Sequence, residues 1–284
     1  MICLECNKDV PTDRTICPYC ASYIIPTVRP LQGYPIESRN QMGLPMLTFK
    51  ANGVCFNMVK VEGGAFNHQG LKMVNTENNR PSEKACQSRL SPHNIQTFYI
   101  GETVVTQSLW EAVMLYGLKE VIDIDKVCSY QPGMIKGSNM PLYFTIVNFF
   151  DYGAIKWFVK KLSHLTGWIF DLPSEWQWEY AECGGQFSKG YKYAGSNNID
   201  EVAWYLGNAQ THHLTPQPVK MKCANELGLY DMAGNVLEMC KPWSMIHVKG
   251  SYHSSDLEDC QIGTISKPIG QMGIRLVLNK QDKK

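Results

Sequence analysis

Apolar and polar positions along this chain predict a small number of regular elements. Loose alternation over Val54–Val61, followed by Glu62-Gly63-Gly64, is typical of a strand that ends in a turn. A second strand is predicted over Phe98–Val105. The clearest helix is predicted over Asp151–Thr166, because apolar residues recur there at helical spacing and Gly167 suits the position after the last turn. That apolar stripe consists of Ile155, Phe158, Val159, Leu162 and Leu165.

Two shorter helices are predicted from their N-terminal capping residues. Thr106 offers an N-cap to a helix that ends near Gly117. Ser174 and Gln177 form a capping-box pattern that opens a helix running through Ala181. After residue 185 the chain is rich in Gly, Asn, Tyr and Trp and shows no helical period. We therefore expect long irregular loops there, fixed by aromatic packing or by bound ions.

Composition and charge narrow the classes of protein that fit the sequence. Hydrophobic residues make up 44% of the 284 residues, which is enough for a packed core and excludes wholesale disorder. The net charge is +1, so the chain has no general basic field, which argues against nucleic acid as a partner. No apolar run reaches the ~18 residues of a membrane-spanning helix, and the first residues do not form a signal peptide. We expect a cytoplasmic protein without membrane contact, with release or incorporation into a virion as the alternative.

Four of the 11 cysteines lie close together at the start of the chain, as Cys3-x2-Cys6-x10-Cys17-x2-Cys20. Two such C-x-x-C turns can bring four thiolates to one tetrahedral Zn²⁺ ion. The segment is too short to bury a core, so metal binding would supply its folding free energy. A pair of disulfides or a redox motif is the competing interpretation, which the reducing compartment and the absence of a strand–helix frame disfavour. The spacing thus predicts a structural zinc ribbon, which is also a candidate surface for docking another protein.

These features divide the chain into three parts. The predicted zinc ribbon covers residues 1–22, and a linker rich in proline and glycine covers residues 23–46. Residues 47–284 are predicted to form one large domain.

Several motifs of this domain resemble the formylglycine-generating-enzyme, or sulfatase-modifying-factor, family. They follow one another in the family's order. They are the strand Met58-Val59-Lys60-Val61-Glu62-Gly63-Gly64-Ala65-Phe66, the segment Phe98–Thr106, Leu172-Pro173-Ser174-Glu175-Trp176-Gln177-Trp178-Glu179-Tyr180-Ala181, Gly228-Leu229-Tyr230-Asp231-Met232-Ala233-Gly234-Asn235-Val236-Leu237-Glu238-Met239, Gly250-Ser251-Tyr252 and Gly273-Ile274-Arg275. The resemblance implies an α+β, C-type-lectin-like FGE-sulfatase fold with short helices, a twisted antiparallel sheet and long irregular loops.

The resemblance also implies where oxidase chemistry would lie. The family's oxidases hold copper(I) with two cysteines, placed two and seven residues after the aromatic residue of the Gly-Ser-aromatic motif. Here that aromatic residue is Tyr252, and the two positions hold Ser254 and Asp259, with Cys260 one place later. A lone thiol cannot form a two-coordinate thiolate site, so we expect no copper and no catalytic residues. A divergent oxidase that modifies a protein cysteine is the alternative, whereas the ordinary role of Cys260 is that of a buried core thiol.

A calcium site is the second feature that the resemblance implies. The family's ligand run corresponds to Asp231, Gly234, Val236 and Glu238 in this sequence. Two carboxylates and two backbone carbonyls are oxygen ligands that suit Ca²⁺. The alternative is a turn in which the Asp231 and Glu238 side chains only accept hydrogen bonds from backbone N–H groups.

A ligand-binding surface is implied for the segment from Tyr252 to Met272. The resemblance extends to the variable proteins of diversity-generating retroelements, which use this segment to bind ligands. Its polar side chains are of the adaptable kind found on binding faces. The candidate residues are Tyr252, His253, Ser254, Ser255, Asp256, Glu258, Gln261, Thr264 and Gln271. The sequence therefore predicts a non-catalytic binding module whose partner is a protein or a glycan.

Overall fold

A computed structural model describes residue 8 and residues 34–66, 93–115, 139–143, 149–209, 215–241, 247–264 and 271–279. The predicted zinc ligands Cys3, Cys6, Cys17 and Cys20 lie outside these residues. The strands are β1 (Ile36–Arg39), β2 (Pro45–Ala51), β3 (Val54–Val61), β4 (Gly64–Phe66), β5 (His93–Ile95), β6 (Phe98–Gly101), β7 (Phe170–Asp171), β8 (Ala203–Trp204), β9 (Ala233–Gly234), β10 (Leu237–Cys240), β11 (His247–Lys249), β12 (Met272–Ile274) and β13 (Val277–Asn279). The helices are α1 (Gln107–Met114), α2 (Phe149–Thr166), α3 (Glu175–Glu182), a 3-10 turn (Gly185–Phe187), α4 (Ile199–Val202) and α5 (Leu206–Ala209).

The main sheet has six antiparallel strands in the order β1-β2-β3-β6-β13-β7. Strand β13, at the C-terminal end of the described chain, pairs with both β6 and β7 and so joins these two strands in one sheet. A three-stranded sheet, β11-β10-β12, pairs β10 and β12 in parallel. The fold class is thus α+β, with short strands and long connections, as the sequence predicted.

Neighbouring residues of the central strands belong to two separate hydrophobic clusters, because successive side chains point to opposite faces of a sheet. Met58 faces the cluster formed with α1 and α2, and Val59 faces the cluster formed with α3 and the loops around Leu229. In the first cluster the Trp110 and Phe158 rings stack with their centroids 4.8 Å apart. The sheet is therefore covered on both faces, with helices on one side and α3 with the long loops on the other.

The predicted regular elements are present, and their ends have identifiable causes. Strand β3 spans the predicted range, whereas β6 ends at Gly101, short of the predicted Val105. The Val105 amide instead bonds the carbonyl of Ile274, outside the strand pairing. Helix α2 ends at Thr166, and Gly167 adopts a φ of 73°, which favours glycine after a helix.

Both predicted N-caps are formed. The Thr106 hydroxyl accepts a hydrogen bond from the Leu109 amide. Ser174 and Gln177 make the reciprocal capping box at the start of α3, with distances of 3.0 and 3.2 Å. The predicted end of the first of these helices near Gly117 falls outside the described residues, and α1 ends at Met114.

The predicted linker needs a correction at its C-terminal end. Residues 36–39 form the edge strand β1, which pairs with β2 in the register Ile36↔Thr48 to Arg39↔Pro45. Pro45 occupies the first position of β2, where a residue without an N–H group is tolerated. The density of prolines that suggested an extended tether therefore marks, in part, the ends of a β-hairpin.

Helices α1 and α2 are joined by a buried lysine. The Lys161 ammonium donates to the carbonyl of Met114 at the end of α1 and lies 4.8 Å from the centroid of the Trp157 ring. A cation suits this position because the C-terminal end of a helix carries partial negative charge. Burial lowers the pKa of Lys161 to about 8. Among the described residues, no helix is both long enough and apolar enough to cross a membrane.

Replacing Phe158 by alanine should destabilise the fold by about 3–5 kcal/mol, because it removes a fully buried ring from the stack with Trp110. Urea unfolding would measure the loss. The matched control is Gly153→Ala, on the exposed face of the same helix, where an added methyl group meets nothing within 4 Å. That change should stabilise the protein by up to about 1 kcal/mol. Equal effects of the two changes would contradict the assigned faces of α2.

Candidate functional site

A buried ion pair lies beneath the motifs that the sequence analysis singled out. The Arg275 guanidinium donates to both carboxylate oxygens of Glu238, at 2.8 and 2.6 Å, and neither side chain is accessible to solvent. It also donates to the backbone carbonyls of Gly101 and Tyr230. The Trp178 indole N–H donates to Glu238 at 2.6 Å. These bonds connect β6, β10, α3 and the chain around Arg275 at one point.

A second buried group fixes the loop formed by residues 215–220. The Asn235 carboxamide accepts from the Gln217 amide at 2.8 Å and donates to the Gln217 carbonyl at 3.0 Å. Asp231 accepts from the Lys220 amide at 3.0 Å. Asp231 and Asn235 both have positive φ, at 56° and 63°, a conformation that Asp and Asn tolerate better than most residues. Burial raises the pKa of Asp231 to about 6.

The predicted calcium ligands lie within this network. Glu238 is occupied by Arg275 and Trp178, and Asp231 accepts hydrogen bonds from Lys220 and Asn235. A cation held by both carboxylates would have to displace the guanidinium. No group of three or more His, Cys, Asp or Glu side chains in the described part of the chain is arranged to hold a metal ion. Asp231 fits the turn interpretation because it accepts from the Lys220 amide, whereas Glu238 accepts from the side chains of Arg275 and Trp178 and not from backbone N–H groups. The calcium site stays a prediction.

The other two residues of that motif serve the fold, Gly234 through its backbone and Val236 through its buried side chain. Gly234 has a φ of 73°, and a Cβ at this position would lie 2.2 Å from the carbonyl oxygen of Trp204. Only glycine therefore permits the close pairing of β8 with β9. The Val236 side chain is buried.

The positions that hold copper in the family's oxidases carry other chemistry here. Ser254 and Asp259 are partly buried. Cys260 is only 2% exposed and belongs to the second hydrophobic cluster, where its sulfur accepts a hydrogen bond from the Ser251 hydroxyl. Burial raises the pKa of Cys260 to about 12. The thiol form is therefore favoured, whereas a metal ligand or a nucleophile requires the thiolate.

The predicted ligand-binding residues divide into exposed and buried groups. Asp256 and Glu258 are exposed. The partly exposed residues are Tyr252, Ser254, Gln261, Thr264 and Gln271. The prediction is wrong for His253 and Ser255, which are 1% and 6% exposed.

The two buried residues hold the segment in place. The Ser255 hydroxyl accepts a hydrogen bond from the Tyr252 amide, and the Ser255 carbonyl accepts from the Leu206 amide. The His253 amide donates to the carbonyl of Asn235. Burial lowers the pKa of His253 to about 4, so its imidazole is neutral at physiological pH. Polar residues in a loop thus serve the fold here, which the sequence pattern does not reveal.

Further along, the same segment is tied to parts of the chain that the sequence analysis did not associate with it. The Ile262 amide donates to the carbonyl of Lys192 at 3.0 Å. The Gly263 amide lies 3.5 Å from the carboxylate of Glu182, at the end of α3. Since backbone atoms make most of these bonds, no residue type in the sequence signals them. The described residues 252–264 therefore have a backbone that is held by hydrogen bonds to other parts of the chain.

The fold and this site define a domain of the formylglycine-generating-enzyme type in which the copper-binding positions are altered. Residues 46–279 match the family described as sulfatase-modifying factor enzyme 1-like domain, and the chain belongs to this family.

Three known proteins illustrate the relationship. The chaperone protein LppX of Paenibacillus barcinonensis is 36% identical over 220 residues, which cover 66% of this chain and 71% of that protein. The formylglycine-generating enzyme of Streptomyces coelicolor is 34% identical over 82 residues, or 25% of this chain and 26% of the enzyme. Treponema denticola variable protein 1 superimposes with a TM-score of 0.58 at 24% identity, covering 83% of this chain and 99% of that one. This last likeness concerns the fold alone.

Replacing Arg275 by methionine should cost about 3–5 kcal/mol of stability, because it leaves the Glu238 carboxylate buried without its cation. The double variant Arg275→Met, Glu238→Gln removes both charges and should lose less than the sum of the two single variants. Chemical denaturation of the four proteins gives the coupling free energy. Strict additivity would mean that the pair does not act as a unit.

Replacing Asp231 by asparagine should change the dependence of stability on pH. Because the pKa of Asp231 is raised from 3.8 to about 6 in the folded protein, the folded state binds its proton more tightly than the unfolded chain. Wild-type stability therefore falls as the pH rises through this window and levels off above it. The stability of Asp231→Asn relative to wild type should grow by up to about 3 kcal/mol over the same window, measured by thermal unfolding at several pH values.

Calcium provides the control for this experiment. A Ca²⁺ ion on Asp231 would stabilise the wild type selectively at neutral pH and would reverse the trend. We expect millimolar Ca²⁺ to leave the difference between the two proteins unchanged, since the Glu238 carboxylate is paired with Arg275.

Proposed function

We propose that this chain is a non-catalytic binding module that presents one surface to a protein or glycan partner. We name it the C-terminal surface, and it consists of Tyr252, Ser254, Asp256, Glu258, Gln261 and Thr264. The predicted zinc ribbon at residues 1–22 would add a docking site for another protein. A cytoplasmic complex suits such a module, and so does a released or virion assembly.

The observation that carries this proposal is the replacement of the oxidase ligands. Ser254 and Asp259 occupy the two positions, and the neighbouring Cys260 is a buried thiol with a raised pKa. Copper(I) requires soft thiolate ligands, and a serine hydroxyl, an aspartate and one protonated thiol do not supply them. The scaffold of the family is retained while the groups that activate oxygen are not.

The way in which residues 252–264 are held in the fold supports a role in recognition. Its backbone is fixed by the bonds to Leu206, Lys192 and Asn235, while the side chains of Asp256 and Glu258 extend into solvent. A rigid backbone with adaptable polar side chains binds with little loss of conformational entropy. Asp256 and Glu258 are exposed, so these two side chains can change at little cost to the fold, whereas Tyr252 also packs against the first hydrophobic cluster.

Selection from a displayed random-peptide library tests the choice of surface. Peptides that bind the wild type should lose at least ~100-fold in affinity for the variant Tyr252→Ala, Asp256→Ala, Glu258→Ala, Gln261→Ala, because a few contacts dominate most interfaces. Thermal unfolding should show that the variant remains folded. The matched control, Glu37→Ala with Lys50→Ala, changes exposed residues of β1 and β2 and should bind normally.

Two results would contradict the proposal. One is equal binding of the selected peptides to the wild type and the surface variant. The other is copper-dependent oxygen uptake with thiol peptides that is lost in Cys260→Ser, which would establish the divergent oxidase instead.

A further inference from the structure

A depression in the surface lies where α3 begins and β5 and β13 end. We name it the carboxamide groove. It is lined by His93, Asn94, Ile95, Gln96, Thr97, Ser174, Trp176, Gln177 and Asn279. Its volume of about 680 Å³ falls within the ~300–1,000 Å³ range of sites for small ligands. None of its lining residues belongs to the C-terminal surface.

Most of the described residues that line the groove are polar and neutral. The described residues of the lining include no Asp, Glu, Lys or Arg. They include four residues with carboxamides, Asn94, Gln96, Gln177 and Asn279, and two with hydroxyl groups, Thr97 and Ser174. A carboxamide offers N–H donors and a carbonyl acceptor within one group. These residues can therefore satisfy a ligand whose groups both donate and accept, and none of the described lining residues carries a fixed charge that would attract an ion.

Part of this lining is held in a fixed orientation. The Gln177 carbonyl oxygen accepts from the Ser174 amide at 3.0 Å, so its Nε2 group is directed the other way. That group donates to the side-chain oxygen of Asn279 at 2.9 Å. Asn279 therefore keeps its own Nδ2 donors turned away from this bond. The capping box of α3 and the end of β13 thus build one preorganised polar edge.

An aromatic pair forms another part of the groove. The His93 and Trp176 rings stack with centroids 3.6 Å apart and planes inclined by 26°. Both residues are only partly buried, so ring surface lies beside the carboxamides. Trp176 also packs against the second hydrophobic cluster. Its exposed portion, however, contributes to the groove.

We propose that the carboxamide groove binds a neutral oligosaccharide. A sugar ring combines an apolar C–H surface with hydroxyl groups that each donate and accept, and the groove pairs aromatic surface with neutral groups of the same dual capacity. Phosphate, sulfate or carboxylate ligands would lack a cation among the lining residues. The site is independent of the C-terminal surface and of its partner.

An oligosaccharide array tests the proposal with the full-length chain. The array carries neutral oligosaccharides together with sialylated and sulfated ones. We expect retention of neutral members, followed by a saturable change of tryptophan fluorescence when the retained oligosaccharide is titrated in solution. Asn94→Ala and Asn279→Ala should each weaken that binding about tenfold, which corresponds to the loss of one or two hydrogen bonds.

The choice of variants keeps folding separate from binding. Asn94 and Asn279 are exposed, so both variants should unfold at the wild-type temperature, whereas Trp176→Ala also removes core packing. The control Asp256→Ala with Glu258→Ala should bind the sugar as the wild type does.

Each other outcome overturns the proposal. Retention of no oligosaccharide, or only of charged ones, would show that the groove is not a site for neutral sugars. Loss of sugar binding in the Asp256 and Glu258 control, with normal binding by the Asn94 and Asn279 variants, would place the sugar on the C-terminal surface. That result would support the proposed function while removing this one.

Discussion

The buried pair of Arg275 and Glu238 is the constraint on which the rest of the structure depends. Neither charge reaches water, so the ion pair is tolerable only because hydrogen bonds engage all three guanidinium nitrogens and both carboxylate oxygens. Those bonds come from Trp178 and go to the carbonyls of Gly101 and Tyr230. The requirement for complete satisfaction fixes the six-stranded sheet, the small β10 sheet and α3 relative to one another. Much of this arrangement consists of irregular backbone, which a hydrophobic core alone would leave poorly specified.

A second set of buried charges extends this control to the C-terminal surface. Lys249, on β11, is paired with Glu179 and Glu175 of α3, and His247 bonds Glu175 at 2.5 Å. Burial and the nearby charge of Glu179 raise the pKa of Glu182 well above its ordinary value, so this carboxyl is favoured in its neutral form. The ion pairs of Lys249 therefore fix β11, just before Tyr252, to helix α3. At the end of α3 the Glu182 carboxylate lies 3.5 Å from the Gly263 amide. Helix α3 thus supports the C-terminal surface from the interior side of the domain.

Local signals in the sequence were sufficient for the elements that depend on neighbouring residues. The capping box at Ser174, the strand over Val54–Val61 and the stripe on α2 each follow from spacing within a few positions. Two pairs of short strands, β8 with β9 and β10 with β12, join distant parts of the chain and carry no such period. The burial of His253 and Ser255 was missed for the same reason, because it depends on contacts with Asn235 and Leu206. The motif at Asp231 was found, but its hydrogen-bond partners were not, because Lys220 lies 11 positions from Asp231 and Arg275 lies 37 positions from Glu238.

The position of Cys260 ties its thiol to the packing of the domain. Its thiol accepts from the Ser251 hydroxyl, and that hydroxyl in turn accepts from the Gly234 amide at 2.8 Å. The cysteine is thus part of the packing beneath the β8–β9 pair, and its protonated form is the one that this environment favours. A two-thiolate copper site here would need a second cysteine and access of solvent to both thiols. Opening Cys260 to solvent would disrupt the packing around Ser251. Packing and a solvated thiolate site therefore oppose each other at this position, whereas the side chains of Asp256 and Glu258 are exposed.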